Sequence, residues 1–334
     1  MPAHRSPVAL SRCLDALRAS DLPAGEWELI VADDASLDVE TEKVAGSADK
    51  VIALPAPAGG PARARNAGVR AASARIVAFI DSDVLVHSDA LRRLLDAFDD
   101  PATAAVFGSY DDTPAFPGIV SQYRNLLHHF VHQRSAGEVE SFWAGCGAVR
   151  RDVFEAVGMF DEDRFRRPEM EDVELGYRLR DEGHRIILDP LVQCTHLKRW
   201  RLGGMIVSDF TRRGVPWARL LVERNMLLRA RGLSLGKAER ASAVLAGAFV
   251  AVGAAAVLCT SVTLAFLAAL VLAGFVTANH RLFSWLASIR GPGFAASAVP
   301  LHLVYNVVAA TSLVWGAATA MLRRSGPARY TRPR

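Results

Sequence analysis

Two apolar patterns share the first 200 residues, and a third takes over near residue 240. Short unbroken apolar runs recur along the first part: "WELIVADD" ending at Asp33–Asp34, "KVIAL" (50–54), "RIVAFIDSD" (75–83), "AAVFGSY" (104–110) and "RIILDP" (185–190). Unbroken apolarity, as opposed to strict alternation, predicts strands covered on both faces, as in a parallel sheet. Between the runs, apolar residues recur at helical spacing. Leu10, Leu14 and Leu17 do so in "SPVALSRCLDALRAS", and Leu91, Leu94, Leu95 and Phe98 in "HSDALRRLLDAF", where Ser88 is a candidate N-cap. Strands alternating with helices give an α/β domain over residues 1–200, a Rossmann-like, mainly parallel sheet flanked by helices.

The third pattern is continuous. No Asp, Glu, Lys or Arg occurs from Ala241 to Asn279, or from Phe294 to Leu322. A bilayer-spanning helix needs about 20 apolar residues. The first tract has room for two short helices and the second for one, which predicts transmembrane helices over 241–258, 262–279 and 295–322. Residues 201–240 mix basic residues with Trp217 and apolar positions and read as an interfacial linker; 323–334 is a basic tail. The N-terminus lacks an apolar core segment of signal-peptide type, so the globular front part is expected on the cytoplasmic face of an inner, multi-pass membrane protein.

The net charge of +4 matters through its placement. Arg224, Arg229, Arg231 and Arg240 precede the first tract, and Arg323, Arg324, Arg329, Arg332 and Arg334 follow the second, which suits an anionic leaflet. Three spans would put the Arg-rich tail on the far side, against the positive-inside tendency. No basic stripe with interleaved aromatics marks the globular part, which argues against nucleic acid. Cys13, Cys146, Cys194 and Cys259 are scattered and form no CxxC, which argues against structural zinc and a disulfide framework.

Ligands of such sheets bind beyond the carboxyl ends of the strands. Asp33 and Asp34 end one strand, and Asp81 and Asp83 end another, so both pairs are expected at one crevice. Carboxylates in an apolar run are costly unless neutralised. A divalent cation, Mg²⁺ or Mn²⁺, that also holds phosphate would do this; simple capping of a turn by Asp81 and Ser82 is the alternative. A phospho-receiver domain also carries acidic residues after two strands, but it needs a strand-end lysine, and none lies between Lys50 and Lys198. In "GGPARARNAGVRAAS", Gly59 and Gly60 free the backbone and Pro61 suits a first helical turn. Arg63 and Arg65 then make a phosphate neighbourhood at that helix start. "SFWAGCGAVRRDVFEAVGMFDE" holds a small-residue turn, 144–148, for close approach of a ligand or for tight packing. "RPEMEDVELGYRLRDEGHRI" opens a helix with Glu171 and Asp172, whose charge also favours a helix N-terminus.

Taken in order, "ELIVADDASLD", "GGPARARNAGV", "VAFIDSDV", "GCGAVRRDVFEAVGMFDE" and "EDVELGYRLRDEGHRI" resemble the inverting glycosyltransferases of family 2, with a GT-A fold, over about the first 200 residues. The resemblance implies a hexosyltransferase-like enzyme that uses a nucleotide-diphosphate sugar. It implies Asp34 at the base or ribose, Asp81 and Asp83 at the metal and diphosphate with Asp83 the closer ligand, and Asp172 as general base. It places Ala3, Asp33, Arg65, Ser82, Gly145, Glu171 and, in "QCTHLKRW", His196 around the donor. A lipid-linked or cell-envelope glycan acceptor fits the membrane tracts. The family's opening strand is here reduced to "MPAHR", so the start is expected to lie upstream. The QxxRW motif of processive synthases is absent, which favours single transfer. His128 and His132 lie four apart in "NLLHHFVHQ" but have no evident third metal ligand. The competing reading is a catalytically idle, sugar-nucleotide-binding membrane scaffold.

Overall fold

A computed structural model of the chain describes residues 1–227 and 237–324. Arg229, Arg231 and the tail arginines Arg329, Arg332 and Arg334 lie outside the described residues. The chain forms two compact units, Met1–Trp200 and Arg201–Arg334.

The first unit begins β1 (Pro2–Ala3), α1 (Pro7–Arg18), β2 (Ile30–Asp33), α2 (Val39–Ala45), β3 (Lys50–Ala53), α3 (Pro61–Ala71), β4 (Ile76–Ile80) and β5 (Val84–Val86). It continues α4 (Ala90–Asp96), β6 (Thr103–Tyr110), α5 (Ile119–Gln133), β7 (Gly137–Val139), β8 (Cys146–Arg150), α6 (Arg151–Ala156), α7 (Glu171–Asp181) and β9 (Arg185–His196). β1, β2 and β3 form a parallel three-stranded sheet in that order. The opening strand is present but two residues long. A second sheet runs β4-β8-β6-β9-β5, with β7 along β9. An apolar cavity of 160 Å³, lined by Met1, Leu17, Ile30, Ile76 and Phe79 among others, touches β2 of the first sheet and β4 of the second.

Strand direction departs from the sequence pattern. β6 and β9 are parallel, but β4–β8, β6–β8, β5–β9 and β7–β9 are antiparallel. Continuous apolarity reports burial of both faces and is silent on direction. β6 is buried at every position and β8 at four of five. The small residues 144–148, expected as a turn, lead straight into β8. There Gly147 sits between Phe79 of β4 and Phe107 of β6. A side chain on it would meet the Phe107 Cβ at 2.9 Å. Phe79 packs on Phe142, Phe154 and Phe160 at ring separations of 6.3, 5.4 and 5.2 Å. Edge-on and tilted contacts of this kind add to the burial of each ring.

β9 is twelve residues long and serves three partners. One edge pairs with β6 as far as Cys194, and the other pairs with β7 over Ile186 to Leu188 and with β5 over its last three residues, Val84 opposite His196. That register brings residue 196 beside the turn holding Asp81 and Asp83.

The second unit contains α8 (Leu202–Ser208), a π-helical stretch (Asp209–Gly214), α9 (Val215–Glu223), α10 (Lys237–Leu258), α11 (Val262–Ala278), α12 (His280–Arg290) and α13 (Pro292–Arg324). α10 and α13 are long and apolar enough to cross a membrane, over Ala238–Leu258 and Pro292–Arg323. α11 and α12 reach that standard only as a pair, bent by 71° at Asn279. Asn279 Oδ1 accepts hydrogen bonds from Ser242 Oγ (3.0 Å) and His302 Nε2 (2.9 Å), which ties the bend to α10 and α13. α9 and α13 approach closely through small residues; a Cβ on Gly316 would fall 2.6 Å from that of Ala218.

Gly176 gives a direct test of the first unit's packing. A Cβ there would lie 2.4 Å from the backbone nitrogen of Phe142, which has no room to yield. Gly176→Ala is expected to push α7 off the segment before β8 and cost about 1–3 kcal/mol. Thermal unfolding of the full chain in detergent checks it; an unchanged midpoint contradicts it.

Candidate active site

The site is built where β2, β4 and β9 end and where α3 and α7 begin. Ala3 is buried in β1 and its carbonyl accepts from Asp34 N–H at 2.9 Å. Asp33 turns back on its own loop, where its Oδ1 accepts from the backbone N–H of Ser36 (3.1 Å) and from the Ser36 hydroxyl. The resemblance puts Asp34 at the nucleotide. In the structure its carboxylate is buried, and its two oxygens accept from Gly59 N–H (3.0 Å) and Gly60 N–H (2.6 Å). Asp34 therefore pins the glycine loop that opens α3 to the end of β2. Gly60 adopts φ 91°, a conformation glycine reaches without strain.

Arg65, expected near the donor, is an internal counter-ion in the structure. Its side chain is 4% exposed, with Nη2 on Asp81 Oδ1 at 2.6 Å and Nη1 on Glu171 Oε1 at 2.8 Å. Arg63 is likewise engaged, donating to the carbonyls of Pro55 and Pro57. Glu171 Oε2 also accepts from Glu169 N–H at 3.0 Å. Asp81 N–H donates to Gly145 O at 3.0 Å, joining the acidic turn to the start of β8. Gly145 must be glycine, because a Cβ would lie 2.4 Å from the Trp143 ring. Ser82 occupies the turn between Asp81 and Asp83.

Asp83 faces away from Arg65's pairings. Its Oδ2 lies 3.4 Å from Nε2 of the buried His196. Burial works against its charge, but the hydrogen bond from His196 and the positive charges of His196 and Lys198 outweigh it and hold the carboxyl below the usual range. Asp172 goes the other way. Burial first, then the Glu171 carboxylate, push it up to about 7. Its oxygens accept from Ala144 N–H (3.2 Å) and Val173 N–H (2.8 Å), which fixes its orientation at the mouth of α7. Arg65 feels Asp81, Glu171 and Asp172 together, so the three carboxylates share one electrostatic neighbourhood.

No group of three His, Cys, Asp or Glu side chains gathers for a metal among the described residues. Asp83 and His196 do fit as two neighbouring ligands of one hard cation, since adjacent positions of an octahedral Mg²⁺ site are about 3 Å apart. Of the expected Asp81–Asp83 ligand pair, Asp81 gives one oxygen, Oδ1, to Arg65. His128 and His132 form no such pair. Their rings pack at 3.9 Å, His132 Nδ1 bonds to Gly108 O, and burial pushes His132 down to about 4 and His128 well below its usual value.

Two contributors escaped the sequence reading. Tyr110 stacks on His196 at 4.6 Å with rings 7° from parallel, and Asn125 Oδ1 lies 3.1 Å from His196 Nδ1. Neither belongs to a motif.

Residues 1–158 match the model of glycosyl transferase family 2. Over most of its length the first unit is thus similar to the glycosyl transferases of family 2. Pre-mycofactocin glycosyltransferase of Mycobacterium tuberculosis is 29% identical over 213 residues, 62% of this chain and 43% of that protein. Validoxylamine A glucosyltransferase of Streptomyces hygroscopicus is 27% identical over 220 residues, 55% of this chain and 51% of that one. The chain thus spans about half the length of these relatives. A mannosyltransferase of Pyrobaculum calidifontis, solved with GDP-Man and Mn²⁺, superposes with a TM-score of 0.59 at 20% identity, over 94% of this chain and 85% of its own. That likeness is one of fold, the GT-A architecture.

Removing Arg65 should expose how much of the domain rests on it. Arg65→Met strands Glu171 and Asp81 without their counter-charge, and breaking a buried pair from one side costs about 3–5 kcal/mol. A drop in the denaturation midpoint is expected, and Arg65→Met with Glu171→Gln should recover part of it.

Proposed function

We propose that the protein is a membrane-attached inverting glycosyltransferase. It moves a sugar from a nucleotide-diphosphate sugar to a hydroxyl or phosphate of a lipid-linked or cell-envelope glycan. The observation that carries this is the opposite bias of two aspartates in one domain, Asp83 held ionised and Asp172 raised to about 7. Carboxylates pushed apart in this way divide into a permanent anion and a proton carrier. The family 2 domain and the nucleotide-sugar chemistry of its relatives supply the donor class.

Asp83 and His196 would hold a divalent cation, Mg²⁺ or Mn²⁺, which when bound neutralises charge on the leaving diphosphate. Asp172 takes the proton of the acceptor O–H as that oxygen bonds the anomeric carbon and the carbon–phosphate-oxygen bond breaks on the opposite face. One attacking face and one base give inversion. The backbone N–H groups of Ala144 and Val173 keep the Asp172 carboxylate aimed without protonating it. Glu171, tied to Arg65, raises the basicity of its neighbour. The apolar helices α10 and α13 give the second unit its membrane attachment, with the catalytic unit on the cytoplasmic face.

Three measurements test this reading. Calorimetry of UDP and GDP with and without Mn²⁺ should show cation-dependent binding that Asp83→Ala abolishes; a folded sample binding neither nucleotide would favour the idle scaffold. Because Asp172 works only when deprotonated, kcat/KM should fall about tenfold per pH unit below its value near 7 and level off above it. Asp172→Asn should cost about 10²–10⁴-fold and erase that limb. The same shift has a folding consequence. The folded carboxyl binds its proton more tightly than the unfolded one, at about 3.9, so stability declines as pH rises from about 4 to 7. Asp172→Asn should flatten that decline in urea titrations across the range.

A further inference from the structure

His196 is gripped from behind by α5. Asn125 Nδ2 donates to the backbone carbonyl of Ser121, one helical turn earlier, at 3.0 Å. A carbonyl oxygen only accepts, so this bond fixes which end of the amide is nitrogen. The oxygen end, Oδ1, then faces His196 Nδ1 at 3.1 Å. An amide oxygen likewise only accepts, so Nδ1 must carry hydrogen. The other ring nitrogen, Nε2, is directed at Asp83 Oδ2, which also only accepts. In the metal-free chain Nε2 therefore donates there, and it is this hydrogen that a cation would displace. Tyr110 lies flat against the ring and opposes its rotation. Ser121 is itself clamped, its hydroxyl accepting from Trp200 N–H at 2.7 Å. Asn125 is 3% exposed and His196 7%, so water does not compete for this bond as it would at the surface.

We propose that Asn125 is a positioning residue that sets the Nδ1–H tautomer of His196 and thereby presents Nε2, beside Asp83, to a divalent cation. The proposal rests on the reading of Asp83 and His196 as the cation pair. Its mechanism is local: a neutral imidazole has one donor and one acceptor nitrogen, and the partner of one nitrogen decides the role of the other. Asn125 lies 71 residues before His196, and α5 contributes it from the layer behind β6 and β9.

Two readouts separate this role from a contribution to folding alone. The first uses the full chain without metal, labelled with ¹⁵N-histidine, at pH ~9, where an ordinary imidazole is neutral. Long-range ¹H–¹⁵N spectra, with His196 assigned through a His196→Gln variant, should show Nδ1 protonated in the wild type. Asn125→Leu should lose that signature; if it does not fold, Asn125→Ala serves in its place. Asn125→Asp keeps an acceptor at Nδ1 and should keep the tautomer, while its melting temperature falls because the bond to Ser121 is gone. The second readout is Mn²⁺ affinity, followed as free Mn²⁺ by electron paramagnetic resonance. Asn125→Leu should weaken it by about 10–100-fold, as loss of such outer partners does, and Asn125→Asp should stay within a few-fold of wild type. An Nε2–H tautomer in the wild type overturns the proposal. So does an Asn125→Leu variant with unchanged tautomer and Mn²⁺ affinity, or an Asn125→Asp variant that loses both. A wild type that shows the Nδ1–H tautomer but binds no Mn²⁺ instead overturns the cation reading on which the proposal stands.

Discussion

Arg65 stands between carboxylates that arrive from distant parts of the chain, Asp81 from the turn after β4 and Glu171 from the start of α7. Without a cation there, the buried Glu171 would be left uncompensated, at a cost of several kcal/mol, beside the third-exposed Asp81. With it, α3, the acidic turn and α7 are joined at one point, and the charges around it are sorted. Glu171 and one oxygen of Asp81 are spoken for. Asp172, next in sequence to Glu171 but outside that pairing, keeps a raised proton affinity. Asp83, two residues beyond Asp81, is turned to His196 and stays ionised. Two aspartates of the same neighbourhood are thus in different states, Asp172 raised by burial and by Glu171 against the pull of Arg65, and Asp83 lowered by His196 and Lys198.

The scaffold that allows this is the divided pairing of β9. One edge lies along β6 and the other is shared, β7 taking Ile186 to Leu188 and β5 taking Cys194 to His196, which brings His196 opposite Val84, one residue from Asp83. Leu197 N–H then donates to Asp83 O at 2.7 Å and seals the join. Small residues allow the layers to close around it. Gly145 admits the Trp143 ring, Gly147 the Phe107 side chain, and Gly176 the backbone before β8. The aromatic group on Phe79 fills the space beneath, so the ends of the strands are held by a packed interior and the polar groups stand on their tips.

The second unit holds the two helices long and apolar enough to cross a membrane, and polar groups inside an apolar medium must find partners within the protein. Asn279, at the bend between α11 and α12, meets that rule by accepting from Ser242 and His302 and donating its own amide to Phe275 O. The bend therefore has a stated cause, a polar residue satisfied by neighbouring helices. From hydropathy alone, 262–279 reads as one short span; the partners of Asn279 are not visible there.

Local pattern fixed much of this protein. The apolar runs marked β2, β3, β4, β6 and the start of β9; a strand covered on both faces, as β6 is, has no room for polar side chains, whereas β3 is an edge strand exposed at three of its four positions. The charge-free tracts marked α10, α11 and α13 for a like reason, and the order of the acidic and glycine-bearing motifs was enough to indicate the family. Strand direction was not legible, since burial of β8 looks the same whichever way it runs. Nor was the role of Arg65, whose sequence neighbours advertise a phosphate loop while its two partners lie 16 and 106 residues away. Asn125 and Tyr110 carried no signal at all. Their contribution is an angle and a distance to His196, and such quantities exist only once β6, α5 and β9 are packed together.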